Sequence, residues 1–289
     1  MNIGQARPVC DTLRRGLLIG ALGWSAGLAG ASDEWIARLD ALLPTRALLL
    51  GEQHDASEHQ HIARAVVQAL AARSVLAAVV LEMLPAGSTS AHMPRDSAQP
   101  QVQQTLGWDE RAWPWAAYGP VVMAAVQAGV PVLGGNLPAQ QMRAQMARSE
   151  LDSRLPPAAL AEQQQLMREG HCGLLPESQI APMARIQIAR DLSLAATLQT
   201  ALRQAGPQQL VLMLSGSVHA DKRLGVVAHL PPELPVRSVR LVAGGQGVAG
   251  QGVGAGQFDA HWPTAPAPST DHCAALREHF KQRPPGARP

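Results

Sequence analysis

Ala47-Leu48-Leu49-Leu50-Gly51-Glu52-Gln53-His54 decides the fold: an apolar run that reads as a buried β-strand stops on a glycine, and a carboxylate and an imidazole follow. The pattern returns in Leu210-Val211-Leu212-Met213-Leu214, which leads to Gly216-Ser217-Val218-His219. Two G-x-x-H corners are therefore delivered to a sheet edge. A third strand-end acid, Glu82, stands in Val79-Val80-Leu81-Glu82-Met83. Ligand and catalytic groups of parallel α/β sheets gather beyond the carboxyl ends of the strands. Glu52, His54, Glu82 and His219 are expected to share one pocket there.

Outward from these corners, short apolar runs alternate with helical stretches, as β-α units and a mainly parallel sheet require. The expected strands are Ala47–Leu50, Leu76–Met83, Val130–Gly134, Leu210–Leu214 and Val236–Val242. A first helix starts with Ser57 as its N-cap, and a second runs from Tyr118 to Gln127 and stops at Gly129. Two more, Pro156–Met167 and Ser178–Gln204, form a helical insertion between Ala139 and Leu202. Pro182 is tolerable there in a first turn or as a kink. The expected fold is α/β, with helices on both faces of the sheet. Pro85–Pro100, rich in Ser, Pro and His, reads as a surface excursion or a lid beside Glu82.

At the amino terminus, Arg14-Arg15 precede an apolar stretch from Gly16 to Leu28, and Ala29-Gly30-Ala31 is a small-residue cleavage site. Residues 1–31 read as a secretory signal peptide, so the protein is expected in the periplasm or otherwise exported. The stretch is short for a membrane span of about 20 residues, and no transmembrane helix is expected in the mature chain. Removing it takes away Arg7, Arg14 and Arg15 against Asp11, and the formal charge of +2 becomes zero. Nothing in that balance steers the chain to nucleic acid. Aromatic residues are 3%, so the core has to be built from Leu, Val and Ala. The α/β domain is expected over residues 32–243. Gly244–Gly256 holds seven glycines and reads as a tether, and residues 257–289 as an extension with a short helix over Cys273–Phe280. Arg283–Pro289 is expected to be disordered.

Two cysteines survive cleavage, Cys172 and Cys273, and in an oxidising setting a disulfide is the default reading. Each follows a histidine, His171 and His272, so a mixed metal site is the alternative.

In order along the chain, Leu48–Asp55, His59-Gln60, Leu81-Glu82-Met83, Tyr118-Gly119-Pro120 and Gly135-Asn136-Leu137-Pro138 resemble the landmarks of ChaN-type haem-binding proteins. Gly170-His171-Cys172-Gly173, Pro176, Met183-Ala184, Gln187, Arg190-Asp191 and Ser215–His219 continue the match, which spans about residues 44 to 242. ChaN shares a superfamily with Tiki and TraB proteins, and its strand-end Glu and His look similar to those of erythromycin esterases. The resemblance implies an exported haem-binding protein of iron acquisition, with a homodimer across the haem site. Haem iron accepts His, Tyr, Cys or Met; Tyr118, His54, His171 and His219 are the candidate ligands. Arg190, Arg185 and Arg223 are candidate partners of the propionates. Tyr118 is the sole tyrosine, and its place at a helix start also suits a packed residue with a satisfied hydroxyl.

The alternative is a hydrolase or protease. Glu52, His54, Glu82 and His219 are suitable ligands for a divalent metal that activates water, or a histidine oriented by a glutamate acts as base without one. Among neighbouring residues, His59 and His61 are expected to face solvent. Asp55 is expected to cap the first helix or to support His54. Arg190 and Asp191 read as a helix-surface ion pair or, from the motif match, as residues that stand with Gln187 on the helix facing the site. Trp108, Trp113 and Trp115 read as a satellite core or an aromatic flap.

Overall fold

The computed structural model describes residues 35–244, 256–268 and 271–282. Each of the five apolar runs forms a strand: β1 (Ala47–Glu52), β2 (Leu76–Pro85), β3 (Val132–Asn136), β4 (Leu210–Gly216) and β5 (Val236–Ala243). A sixth, β6 (Ala260–Thr264), was not foreseen. All pairings are parallel, in the order β3-β2-β4-β1-β5-β6. The helices are α1 (residues 35–40), α2 (Ser57–Ala72), α3 (Gln99–Leu106), α4 (Trp115–Ala128), α5 (Ala139–Gln145), α6 (Pro157–Gly170), α7 (Glu177–Gln204), α8 (Ser217–Ala220) and α9 (His272–Gln282). The helical insertion is α5 to α7, between β3 and β4.

Side chains alternate across a strand, and the two faces of this sheet bury separate cores. Leu48, Leu50, Val79, Leu81, Leu212 and Leu214 pack with Ile62, Val66, Val121 and Val122 of α2 and α4. Ala47, Leu49, Val80, Val211 and Met213 pack with Leu194, Leu198 and Ala201 of α7. Every residue of β1 is buried, and each such leucine contributes about 2 kcal/mol. Helices therefore cover both faces, with few aromatics in either core.

Several boundaries move for local reasons. β3 starts at Val132 because the Gly129 and Val130 amides bond back to Val126 and Ala125 and close α4. α2 begins after Ala56, which makes no side-chain cap; Ser57 is the first helical residue, and Asp55 accepts from Gln53 Nε2 at 2.8 Å. Pro182 lies inside α7, beyond its first turn, without ending the helix. Residues 85–100 form no lid. Ser90 bonds both ways with Val132, Ser88 accepts from the Gly134 amide, and Thr89 bridges Leu133, so the segment seals the edge of β3. Residues 1–34, 245–255 and 283–289, which hold the expected signal peptide, most of the tether and the terminal tail, lie outside the described residues.

The connection from β1 leaves toward β2, while the one from β4 crosses β1 to reach β5. Such a divergence opens a crevice at the carboxyl ends. The chain is close-packed at Gly51, where a Cβ would lie 2.9 Å from both Ala220 Cβ and Ser217 Cα. Gly51→Val is expected to lower stability by about 1–3 kcal/mol, read as a lower urea midpoint with an unchanged slope.

Candidate functional site

Strand parity points the two acids in opposite directions. Glu52 continues the Leu48 and Leu50 side of β1, toward α2 and α4; Glu82 continues the Val80 side of β2, toward α7. Glu52 is 2% exposed. Its Oε1 accepts from the Tyr118 hydroxyl at 2.6 Å and from His54 Nδ1 at 2.8 Å, and its Oε2 from Gln60 Nε2 at 2.8 Å. Three donors converge on it, so it acts as an acceptor-only carboxylate.

Glu82 is equally buried. Its Oε2 accepts from the Gly216 amide at 2.6 Å; its Oε1 lies 2.5 Å from the Arg190 guanidinium and 3.5 Å from His219 Nε2. Burial alone would raise its pKa, but His219, Arg190 and His54 and the Gly216 amide hold it at about 2. His219 Nδ1 meets Asp191 at 2.7 Å, and Asn136 joins the Glu82 carbonyl to Arg190 Nε. Burial opposes charge on His219, yet Asp191 and Glu82 outweigh it and raise its pKa.

His54 bridges the two faces. A Cβ on residue 216 would stand 2.9 Å from His54 Nε2 and 3.5 Å from Glu82 Oε2, so glycine at the second corner leaves the His54 ring room to stand where it does. The imidazole side chain is 40% exposed, and its Nε2 has no hydrogen-bond partner among the described residues. Burial would lower its pKa, but the Glu52 hydrogen bond and the charges of Glu82 and Glu52 raise it. Trp113 meets the ring edge-on at 4.8 Å.

Glu52, His54, Glu82, His219 and Arg190 thus line one cleft of about 550 Å³, opposite Leu166, Met167 and Gly170 of α6. Tyr118 is not in its wall. It is 1% exposed, and burial together with Glu52 pushes its phenol far above the usual range. Of the two readings of Tyr118, haem ligand or packed residue with a satisfied hydroxyl, the structure shows the packed one: this phenol is a donor that fixes Glu52. His171 stands just beyond the lining, its Nδ1–H donating to the Met167 carbonyl at 2.8 Å. The disulfide Cys172–Cys273 is formed, with a Cα–Cα distance of 5.7 Å, and a mixed metal site at these sulfurs is excluded.

Other expectations change. Arg190 and Asp191 do not pair with each other; one serves Glu82 and the other His219. Arg185 is bound to Asp152 and Arg223 to Glu162, and neither lines the cleft, so neither faces a propionate there. His61 is exposed as expected, but His59 is fully buried, and burial brings its pKa down to about 4. The tryptophans are not a satellite core: Trp115 and Tyr118 belong to the main core, Trp108 and Trp113 pack against it, and Trp113 is the contact to His54. Among the described residues no group of three or more His, Cys, Asp or Glu is disposed to hold a metal ion. The bare-metal alternative fails because the carboxylate oxygens are already used by Arg190, the Gly216 amide, Tyr118 and Gln60. Gln60 and Asn136 were quoted in motifs without a role; Asn136 carried a signal, as a polar residue ending a strand like Glu52.

A family model described as haem-binding uptake, Tiki superfamily, ChaN matches residues 38–230. The fold resembles ChaN of Campylobacter jejuni, described as binding haem cofacially, with TM-score 0.59 and 21% identity over 73% of this chain and 86% of that one. An erythromycin esterase mutant in its open conformation aligns with TM-score 0.45 and 14% identity, over 73% of each chain. No curated protein matches.

The folded pKa of Glu82 lies below its unfolded value of 4.5, so its contribution to stability is complete above pH 4.5 and is lost as pH falls toward 2. Glu82→Gln is expected to destabilise the protein by on the order of 3 kcal/mol at pH 7. Chemical unfolding of both proteins at pH 7, 4 and 3 should show the gap closing with acid.

Proposed function

We propose, from the premise that this chain belongs to the ChaN family of haem-binding uptake proteins in the Tiki superfamily, that it captures haem in the cleft beyond β1, β2 and β4, as an exported protein of iron acquisition. One observation carries the reading: His54 has Nδ1 fixed by buried Glu52 and Nε2 open to the cleft. A histidine oriented through its second nitrogen by a carboxylate is the arrangement that metal-bound histidines adopt.

The residues fit a porphyrin in kind. The cleft volume of about 550 Å³ falls within the range of small-molecule sites, and Leu166, Met167 and Val218 supply apolar wall. His54 would hold the iron; the bound haem would itself supply the affinity for an axial nitrogen. His219 is enclosed by Asp191 and Glu82, which makes it a charge partner and leaves His54 as the accessible imidazole. Arg190 is already held by Glu82 and the mouth of the cleft is open, so no side chain of the wall is assigned to the propionates. A second copy of the chain covering that mouth is the proposed homodimer. No described helix is long and apolar enough to cross a membrane, and the proposed location is the periplasm or another exported setting, reached through the amino-terminal signal.

A second reading rests on the same pair. A histidine oriented by a buried carboxylate is also a general base, and a metal-free hydrolase would use His54 with Glu52, beside Arg190 and Glu82. Ester cleavage that persists in chelator and disappears in His54→Ala would support it; a broad ester and peptide screen without turnover would remove it.

Titration of the mature protein with haemin is expected to give a defined Soret band saturating at one haem per chain. His54→Ala should weaken binding by about tenfold or more, whereas Tyr118→Phe should keep the band and lower stability by about 1–2 kcal/mol. An unchanged band in His54→Ala overturns this ligand assignment. Sedimentation with and without haemin tests the dimer.

A further inference from the structure

β6 lies beyond the family match, which ends at residue 230, and yet it reaches the His54 corner. Thr264, its last residue, is 8% exposed, and its hydroxyl sits 2.9 Å from Nε2 of His59, which is fully buried in the first turn of α2. The other nitrogen, His59 Nδ1, accepts the Gln53 amide at 2.9 Å. A backbone amide only donates, so Nδ1 is bare and Nε2 carries the proton that Thr264 accepts. A second bond runs beside it, from the Ala265 amide to Glu58 at 2.5 Å. Gln53 is where the chain leaves the β1 ladder, whose last register partners are Gly51 with Arg240 on one side and Glu52 with Gly216 on the other. Its amide has no strand partner, and His59 supplies the replacement. Gln53 stands between Glu52 and His54, so holding its peptide sets the direction of both side chains.

We propose that β6 is a clasp on the His54 corner, with His59 and Thr264 as positioning residues for the haem-binding histidine. The inference rests on the reading of His54 as that histidine. The clasp joins a corner near the start of the chain to a strand more than 200 residues later, at a sequence separation of 205. It makes the geometry of the cleft depend on a segment outside the matched region. The neutral state of buried His59 is consistent with this role, since a protonated Nδ1 could not accept from Gln53.

The test uses the full chain and haemin. Thr264→Val keeps the shape of the side chain and removes the acceptor. Exchange of the Gln53 amide should accelerate by at least about tenfold, the scale of one lost buried hydrogen bond, while the slowest core amides stay as they are. Haemin should dissociate faster, and Thr264→Ser should restore both. If the valine variant fails to fold, Thr264→Ala against Thr264→Ser carries the same comparison. Wild-type exchange at Gln53 in the variant overturns the clasp; faster exchange with unchanged haemin release reduces it to a purely structural contact and overturns the positioning role. Absence of a Soret band in the wild type sinks the haem reading instead, and the exchange measurement still decides whether the clasp exists.

Discussion

Two carboxylates buried at the ends of nearby strands are the constraint from which the rest of the site follows. Glu52 and Glu82 are each 2% exposed, and a buried charge left unpaired costs several kcal/mol. Strand parity sends them to opposite faces of the sheet, so each needs its own set of hydrogen-bond donors, and His54 acts on both, by a bond to Glu52 and by its charge on Glu82. On one face Tyr118 and Gln60 are drawn in as donors; on the other α7 has to place Arg190 and Asp191 in successive positions, one for Glu82 and one for His219. The glycine at 216 follows from the same demand, because its amide serves Glu82 and its missing Cβ leaves room for His54.

The strand ends were legible because they are local. A run of leucines or valines that stops at Gly51, or carries Glu82 near its end, needs no knowledge of distant partners to be placed at the edge of a parallel sheet. The helices on both faces were legible from the period of their apolar residues, and the sulfur pair from the two cysteines that the expected cleavage leaves. What was hidden depended on long-range contacts. His59 looked polar and therefore solvated, because its buried partner Thr264 comes 205 residues later. Arg190 and Asp191 looked like a surface pair, because adjacency in sequence says nothing of the two different acceptors and donors that face them. β6 was missed because Ala260-His261-Trp262-Pro263-Thr264 is short and contains a proline, which edge strands alone accept. α3, poor in apolar residues, gave no period to read.

The haem and hydrolase readings draw on one piece of chemistry. A carboxylate behind an imidazole raises its electron density whether the far nitrogen meets iron or a water proton. What separates the readings is the other wall of the cleft. Leu166, Met167 and Val218 offer surface to a flat apolar ligand, whereas Arg190, the guanidinium of the cleft, is already committed to Glu82 and is not free to stabilise developing negative charge.

The link between Cys172 and Cys273 spans 101 positions, and in the chain-entropy picture a closed loop of that size is stabilised by about 4–5 kcal/mol. A long bond between His272 Nε2 and the Gly170 carbonyl, at 3.3 Å, also ties α9 to the body. In an oxidising bath the sulfur pair therefore helps to keep the final helix beside α6, and a reducing one would withdraw that tie.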